Sequence, residues 1–421
     1  MKYFERKIAK KIKKVLDRRE IICIRGPRQA GKTTLLNIIA KELQRKGIKE
    51  ENIIYITFED VDNLEKFSTN PKAFLRSFTN KEKTYFLMDE YQYLKDGKKL
   101  KMLYDLFENT KFFITGSSSL ELTSKLAKYL VGRIFFFELY TFDFYEFLHA
   151  KNKKLWEAYI ERHKLVSDLI RNKKEVKIDK KDIFINDLLS YFEEFIIFGG
   201  YPEVIKTDDK EMKKIILKNI FETYLAKEIK YLLNIKDSLK FKKILTFLAA
   251  SNGNIINYND ISCLFSSYYK EVLEVLEIFE QTYLIKTLRP YHRNMRTELR
   301  KNPKIYFFDT GLRNYMINNF NSLNLREDAG ILAENFVFRQ LFNFDKINYW
   351  RTTSKAEVDF IISDIPVEVK FSEIKKPKIS RSFRSFIKTY KPKVGIVFTK
   401  NLWAMEKMDE SIIYFIPLVY A

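Results

Sequence analysis

The sequence predicts an α/β protein whose first part is a parallel β-sheet with helices on both faces. Five continuous apolar runs lie in the first third of the 421 residues, and segments with helical periodicity separate most of them, at 21–24, 53–58, 85–88, 112–115 and 134–137. Continuous apolar runs are typical of strands covered on both faces, and alternation with helices favours parallel pairing. Ligands of such sheets bind where the strands end. The residues that follow each run are therefore the first candidates for a site.

The residues after the first run form a G-x-x-x-x-G-K-T pattern between a strand and a helix. In full they are Gly26, Pro27, Arg28, Gln29, Ala30, Gly31, Lys32, Thr33 and Thr34. The two glycines permit the tight bend that points backbone N–H groups at phosphate oxygens, and the helix adds its positive dipole end. Lys32 is expected to reach the β- and γ-phosphates and the Thr33 hydroxyl to hold Mg²⁺. The alternative, a glycine turn before an ordinary helix, leaves the lysine unexplained. The pattern predicts a nucleoside triphosphate site.

Two carboxylates, Asp89 and Glu90, directly follow the third apolar run. Such a pair after a buried strand is typical of phosphate-transfer sites, where Asp89 would hold Mg²⁺ through water and Glu90 would activate the attacking water. A solvated pair at a helix start is the alternative. The fourth run ends in a Thr-Gly-Ser-Ser-Ser stretch, in which Ser117 is placed to sense the γ-phosphate, although a serine-rich helix cap is also possible there.

Composition limits the environment and the partners of the chain. The net charge is +21, from 76 Lys and Arg against 55 Asp and Glu, which favours a polyanionic partner such as DNA or RNA. A lysine-rich surface that serves solubility or heat tolerance is the alternative. Two cysteines far apart in sequence form no disulfide framework, so a cytoplasmic location is expected. No apolar run is long enough to cross a membrane, and a basic amphipathic helix near the N-terminus is expected to pack on the sheet.

The middle of the chain has the periodicity of helices, and residues 240–320 are predicted to contain three helices followed by a hairpin. That order predicts a winged helix. Its proposed wing, residues 286–304, holds seven Lys and Arg against one acid, with Tyr291 and His292 among them. The wing is suited to phosphate contacts along a duplex, and packing between domains is an equal alternative.

A second candidate site lies on a predicted hairpin near the C-terminus, from residue 356 to 371. Strand alternation places Val358, Phe360, Ile362, Val367, Val369 and Phe371 on one buried face, and Asp359, Glu368 and Lys370 on the other. Two carboxylates there could hold a divalent metal beside a lysine that polarises a phosphate. A half-buried hairpin with cross-strand ion pairs is the alternative. Residues 370–400 contain ten Lys and Arg and one acid, interleaved with Phe383, Phe386 and Tyr390, which favours a surface facing nucleic acid.

Taken together, these motifs resemble the archaeal and bacterial AAA-type ATPases that carry a C-terminal DUF4143 region. The matching stretches are 26–34, 89–92, 115–119, 130–133, 139–148, 199–203 and 357–370. The resemblance implies an AAA-type P-loop core at 1–142, a helical lid at 143–239, a winged helix at 240–320 and a nuclease-like domain at 321–421. It also implies that Arg133 is an arginine finger or sensor. The D-(x)n-E-x-K pattern is similar to the PD-(D/E)xK nuclease fold, with Glu334 as its helix glutamate and Val358 in place of the usual proline.

These observations predict an ATP-binding, Mg²⁺-dependent ATPase whose nucleotide state gates a basic C-terminal nucleic-acid-binding module. Its expected catalytic residues are Lys32, Glu90 and Arg133. Two alternatives remain. One is a STAND-like switch that binds ATP and assembles with a protein partner, its C-terminal domain being a degenerate docking surface. The other is a nuclease licensed by ATP that would use Glu334, Asp359, Glu368 and Lys370. A homo-oligomer is a further possible assembly of the chain. Metal-dependent cleavage of DNA separates the alternatives.

Overall fold

The computed structural model describes residues 4–421 except 95–96, 118–125, 174, 177, 179–180, 226–237, 292–297 and 299–300. The chain forms two compact units. Unit 1 comprises residues 1–141 and 281–283, and unit 2 comprises residues 142–280 and 284–421. The domain boundaries that the resemblance implies, at residues 142, 239 and 320, stay predictions.

Unit 1 is built on five parallel strands, as predicted. The strands are β1 (Ile21–Arg25), β2 (Ile53–Thr57), β3 (Thr84–Asp89), β4 (Thr110–Gly116) and β5 (Ile134–Glu138), in the order β2-β3-β4-β1-β5. The described helices are α1 (Lys7–Lys13), α2 (Lys32–Arg45), α3 (Val61–Thr69), α4 (Pro71–Arg76) and α5 (Gly97–Leu106). Because all strands are parallel, their carboxyl ends meet at one edge.

Both faces of this sheet are buried, which explains the continuous apolar runs. One core contains Phe86, Phe112 and Ile114 and is covered by helices that follow β2 and β3. The other contains Ile22, Leu87 and Phe113 and is covered by α2 and the N-terminal helix, whose Ile8, Ile12 and Leu16 are buried in it. At about 25 cal/mol per Å² of apolar surface, two such faces supply the main free energy of folding of the unit.

Unit 2 begins with helices and ends with a second sheet. Its helices are α6 (Phe144–Lys151), α7 (Lys153–Asn172), α8 (Ile185–Phe198), α9 (Pro202–Lys206), α10 (Lys210–Tyr224), α11 (Ser238–Ala250), α12 (Tyr258–Leu264), α13 (Tyr269–Gln281), α14 (Thr310–Met316), α15 (Ala329–Leu341) and α16 (Arg381–Tyr390). Two strands, β6 (Ile285–Leu288) and β7 (Lys304–Phe307), pair as an antiparallel hairpin after α13. Within the proposed wing, residues 292–297 and 299–300, including His292, lie outside the described residues.

The Gly199-Gly200 pair that ends α8 lies against the carboxylate of Asp309. A Cβ on Gly199 would lie 2.1 Å from Oδ1 of Asp309, and the Gly200 N–H donates a 2.8 Å hydrogen bond to Oδ2 of the same residue. Asp309 also caps α14 through the Leu312 N–H, at 3.0 Å. The glycine pair at the start of the 199–203 stretch is therefore a packing point within unit 2.

The C-terminal sheet has six strands in the order β12-β13-β11-β10-β9-β8. They are β8 (Ile347–Arg351), β9 (Glu357–Ile362), β10 (Ile365–Lys370), β11 (Val394–Thr399), β12 (Ala404–Met408) and β13 (Ser411–Pro417). β10, β11 and β13 run parallel, and the remaining pairs are antiparallel. This separate sheet domain agrees with the predicted fold class.

The predicted two faces of the β9–β10 hairpin need a correction. Val358, Phe360, Ile362 and Val367 are fully buried, as expected, but Ile361 and Glu368 are also buried, at 2% and 4% exposure. Both faces of the hairpin are covered, because α15 packs on β10 and α16 packs on β9 and β10. Strict alternation fails where a sheet is covered on both sides.

Candidate nucleotide-binding site and C-terminal carboxylate cluster

The loop between β1 and α2 has the geometry of a phosphate-binding turn. Gly31 adopts a left-handed conformation with φ of 96°, and α2 begins directly after it with no side chain capping its first turn. A Cβ on Gly26 would lie 1.9 Å from the Leu139 carbonyl oxygen, so only glycine fits at that position. The uncapped N–H groups of α2 are thus available to an anion at the carboxyl edge of the sheet.

Lys32 lies over this loop and is buried, with 5% of its surface exposed. Its ammonium donates hydrogen bonds of 3.0 Å to the carbonyl oxygens of Gly26 and Pro27. The loop therefore holds the positive charge where the sequence pattern predicts a phosphate. Within the same predicted set, Pro27 and Ala30 are buried, whereas Gln29 and Thr34 are exposed.

A buried side chain that the sequence analysis missed holds the loop in place. The Arg6 guanidinium donates hydrogen bonds to the carbonyl oxygens of Ala30, at 2.9 Å, and Tyr140, at 2.6 Å. Arg6 precedes α1 and is 6% exposed. It bridges the phosphate loop to the segment that follows β5. No local pattern around residue 6 signals this contact, because its partners lie 24 and 134 residues away.

Asp89, the last residue of β3, is brought next to the loop. Its carboxylate accepts hydrogen bonds from the hydroxyl groups of Thr33, at 2.5 Å, Tyr55, at 2.7 Å, and Thr115. Burial and the bond to Asp89 raise the pKa of the Tyr55 hydroxyl above its usual range. The structure thus joins Thr33 and Asp89, the two residues that the sequence predicts for Mg²⁺, and adds Tyr55 as a neighbour that the sequence did not indicate.

Glu90 follows in a left-handed conformation, with φ of 54°. Its N–H donates to the Thr115 hydroxyl at 3.1 Å, and its carboxylate accepts a hydrogen bond from the side-chain amide of Gln92. The same amide nitrogen lies 3.2 Å from the Ser117 hydroxyl. Glu90, Gln92 and Ser117 therefore form one chain of contacts across the ends of β3 and β4. Ser118 and Ser119 lie outside the described residues.

Arg133 lies at the edge of the sheet opposite the phosphate loop, and its role as an arginine finger or sensor stays a prediction. It directly precedes β5, and its carbonyl oxygen accepts from the N–H of Ile21, the first residue of β1. Its Nε is 3.2 Å from Asp105. Since β1 spans five residues, about 13 Å of strand separates this edge from the phosphate loop. Arg133 does not face a nucleotide in its own subunit.

In unit 2 the four residues of the second candidate site are near one another, but each already has a protein partner. Glu334 accepts from Tyr306 and pairs with Lys304 at 3.1 Å. Asp359 accepts the Val369 N–H at 2.8 Å, and Glu368 pairs with Lys370 at 2.9 Å. Burial and the Glu334 charge raise the pKa of Asp359 above its usual range. The sequence analysis missed Lys304 and Tyr306, which come from the β7 strand.

The Lys304 ammonium remains charged in this cluster. Burial alone would lower its pKa, but the carboxylates of Glu334, Asp359 and Glu357 outweigh that effect and raise the pKa above its usual range. The nearest of these oxygens, Oε1 of Glu357, lies 2.6 Å from the Lys304 nitrogen.

The basic C-terminal stretch differs in one respect from its prediction. Arg381, Arg384 and Lys388 are exposed along one side of α16, but Phe383 and Phe386 are 0% and 1% exposed. Tyr390 stacks on Phe386, with 4.5 Å between ring centroids. The aromatic rings therefore belong to the core, and the expected interleaving of rings and charges for base stacking is wrong. None of the helices in the described part of the chain is long and apolar enough to cross a membrane.

Comparison with protein families assigns three segments of the chain. Residues 18–148 match a AAA domain, residues 189–323 match a domain of unknown function, DUF8612, and residues 329–420 match the domain of unknown function DUF4143. An uncharacterised protein of Haemophilus influenzae is 28% identical over 80% of this chain and 78% of its own length. One of Methanocaldococcus jannaschii is 27% identical over 88% and 80%.

Solved structures with partial similarity include the Aeropyrum pernix ORC2 protein in its ADP form and a replication initiator DnaA bound to AMPPCP and single-stranded DNA. The first is 13% identical with a TM-score of 0.34 and covers 66% of this chain and 85% of its own. The second is 15% identical with a TM-score of 0.31 and covers 66% and 89%. Both TM-scores are low, so neither similarity supports a functional assignment for this chain. The phosphate loop and the parallel sheet lie in the segment that matches the AAA domain, so the chain contains an AAA-type P-loop domain and, after it, a C-terminal DUF4143 region.

Proposed function

We propose that this protein hydrolyses ATP in unit 1 and that its nucleotide state controls the binding of nucleic acid by the basic part of unit 2. The observation that carries the first half is the 2.5 Å hydrogen bond between Thr33 and Asp89, with Lys32 over the loop and Glu90 next in sequence. A phosphate ligand, a metal ligand and a general base thus meet at one edge of the sheet.

Thr33 and Asp89 are the residues that would hold Mg²⁺, since hydroxyl and carboxylate oxygens are ligands of this cation. The ion would neutralise charge on the β- and γ-phosphates. Lys32 would bind those phosphates, and Glu90 would accept a proton from the attacking water. Gln92 and Ser117 would hold the Glu90 carboxylate in place for that step.

Support for the nucleic-acid half comes from the exposed side of α16, where Arg381, Arg384 and Lys388 present positive charge. Because the neighbouring aromatic rings are buried, the contacts would be with phosphates and independent of base sequence. DNA or RNA of any sequence is therefore the expected partner class.

The decisive experiment measures ATP turnover by the full chain with and without DNA or RNA. Turnover that rises with nucleic acid and disappears in Lys32→Ala supports the proposal. A double variant, Arg381→Glu with Lys388→Glu, should lose the stimulation and reduce the slope of log affinity against log salt by about 2. The control variant, Lys72→Glu with Arg76→Glu on α4, has the same net charge as this double variant. It should keep the stimulation by nucleic acid and the wild-type salt dependence. If no nucleic acid changes turnover in the wild type, the gating half fails.

A second candidate function is a nucleotide-dependent switch that assembles with a protein partner or with further copies of the chain. Exposed apolar side chains near the start of α13 favour it: Leu264, Tyr268 and Tyr269 are 62%, 85% and 50% exposed. In such an assembly Arg133 of one subunit would contact the nucleotide of the next. Light scattering with ATP and with ADP tests the switch. The wild type should form a larger particle with ATP than with ADP, and Lys32→Ala should form particles of the same size with both.

A further inference from the structure

The C-terminal carboxylate cluster has a buried lysine within it. Lys304, at the start of β7, has a side chain that is 4% exposed, and its nitrogen lies 2.6 Å from Oε1 of Glu357 and 3.1 Å from Oε1 of Glu334. The two carboxylates come from β9 and α15, so the ammonium joins three elements that are far apart in sequence. A buried ammonium is tolerated only where such partners compensate its lost hydration.

The nuclease-like pattern implies a divalent metal at these carboxylates, and the arrangement of the side chains does not fit one. Oε1 of Glu334 faces Lys304 and Tyr306, Oδ2 of Asp359 accepts a backbone N–H, and Oε1 of Glu368 faces Lys370. Within the described ranges, no group of three or more His, Cys, Asp or Glu side chains is arranged to hold a metal ion.

Oε2 of Glu368 is buried and accepts no hydrogen bond in the described structure. Each of the four carboxylates nevertheless has at least one oxygen on a lysine, a tyrosine, an arginine or a backbone amide. A hard divalent cation takes about six oxygen ligands. A cation between Glu334 and Glu357 would therefore have to displace the Lys304 ammonium from both.

We infer that Lys304 is the resident cation of this cluster, that it excludes a divalent metal from Glu334, Glu357 and Asp359, and that the C-terminal domain does not cleave nucleic acid. The ammonium supplies the positive charge that a metal would otherwise bring, and it does so from a strand of the β6–β7 hairpin. The cluster then joins this hairpin to the C-terminal sheet within unit 2. This inference is independent of ATP hydrolysis in unit 1.

Calorimetric titration of the nucleotide-free full chain with Mn²⁺ tests the inference. Wild type and Asp359→Asn should give the same isotherm, because the wild type has no Mn²⁺ site that uses Asp359. Lys304→Gln should show a Mn²⁺ site that the wild type lacks, and adding Asp359→Asn to that variant should remove it. Lys304→Arg keeps the charge and should behave as wild type, as should Lys370→Gln, which changes a half-exposed lysine of the same cluster.

Cleavage of supercoiled DNA with Mn²⁺ and ATP is the second measurement. It compares wild type with Asp359→Asn, so it does not depend on whether Lys304→Gln folds. Wild type should leave the plasmid intact. Three results would each overturn the inference: a wild-type Mn²⁺ site lost in Asp359→Asn, no gained site in a folded Lys304→Gln, or plasmid cleavage by wild type that is lost in Asp359→Asn.

Discussion

The side-chain amide of Gln92, three residues after the end of β3, donates a hydrogen bond to the carboxylate of Glu90, which directly follows the strand. The other contact of that amide nitrogen is the Ser117 hydroxyl at the end of β4. Gln92 is 8% exposed, and its own carbonyl oxygen is buried without a hydrogen-bond partner in the described structure. Gln92 is thus held in place by β4 and in turn positions the residue that we propose as the general base.

Gln92→Ala is predicted to lower kcat for ATP by between about ten- and a hundredfold with little change in KM, because a misplaced base slows the chemical step more than it weakens nucleotide binding. Steady-state kinetics check this, with nucleotide binding measured separately. Gln92→Glu is the matched variant: it places a second carboxylate beside Glu90 and should also be slow. Wild-type kcat in both variants would contradict the positioning role.

Gly26→Ala is predicted to weaken ATP binding about tenfold or more, because the new Cβ would lie 1.9 Å from the Leu139 carbonyl oxygen and displace the loop. A fluorescent ATP analogue measures the affinity. Gly330→Ala in α15 is the control, since a Cβ there meets nothing within 4 Å. It should leave ATP affinity unchanged and stabilise the chain by about 0.5–1 kcal/mol. Equal affinities in the two variants would argue against the close approach.

The third prediction concerns Asp328, a carboxylate that compensates two buried arginines. It pairs with Arg313 at 2.5 Å and Arg326 at 2.8 Å, whose side chains are 3% and 0% exposed. Although burial opposes the change, the hydrogen bonds from the two guanidinium groups lower the pKa of Asp328 from 3.8 to about 2. The unfolded state therefore binds this proton more readily than the folded state does.

Asp328 should accordingly contribute about 2 kcal/mol of stability above pH 4, lost as the pH falls through 3.8 towards 2. Asp328→Asn leaves two buried guanidinium groups without their carboxylate and should destabilise the protein by about 3 kcal/mol at pH 7. Urea unfolding at several pH values measures both effects, and the gap between wild type and variant should narrow in acid. Asp208→Asn, at an exposed ion pair with Lys151, should change little. A gap that is constant with pH would contradict the assignment.

Sequence alone predicted the features that depend on neighbouring residues. The loop from residue 26 to 34 could be read directly, because its glycines, lysine and threonines act through backbone geometry within nine positions. The parallel sheet was also predictable, since a strand buried on both faces requires an uninterrupted apolar run. Asp89 could be named as a candidate because it directly follows such a run. The carboxyl end of β3 lies beside the loop, which brings the Asp89 carboxylate to the Thr33 hydroxyl.

Tertiary structure decided everything that depends on partners distant in sequence. It placed Arg133 at the opposite edge from the loop, buried Phe383 and Phe386 in the core, and brought Arg6 to the phosphate loop from 24 residues away. It also put the Lys304 ammonium among carboxylates that the sequence pattern assigned to a metal. The physical reason is that burial and charge compensation are set by which elements pack together, and strand or helix periodicity shows which face is apolar without showing what covers it.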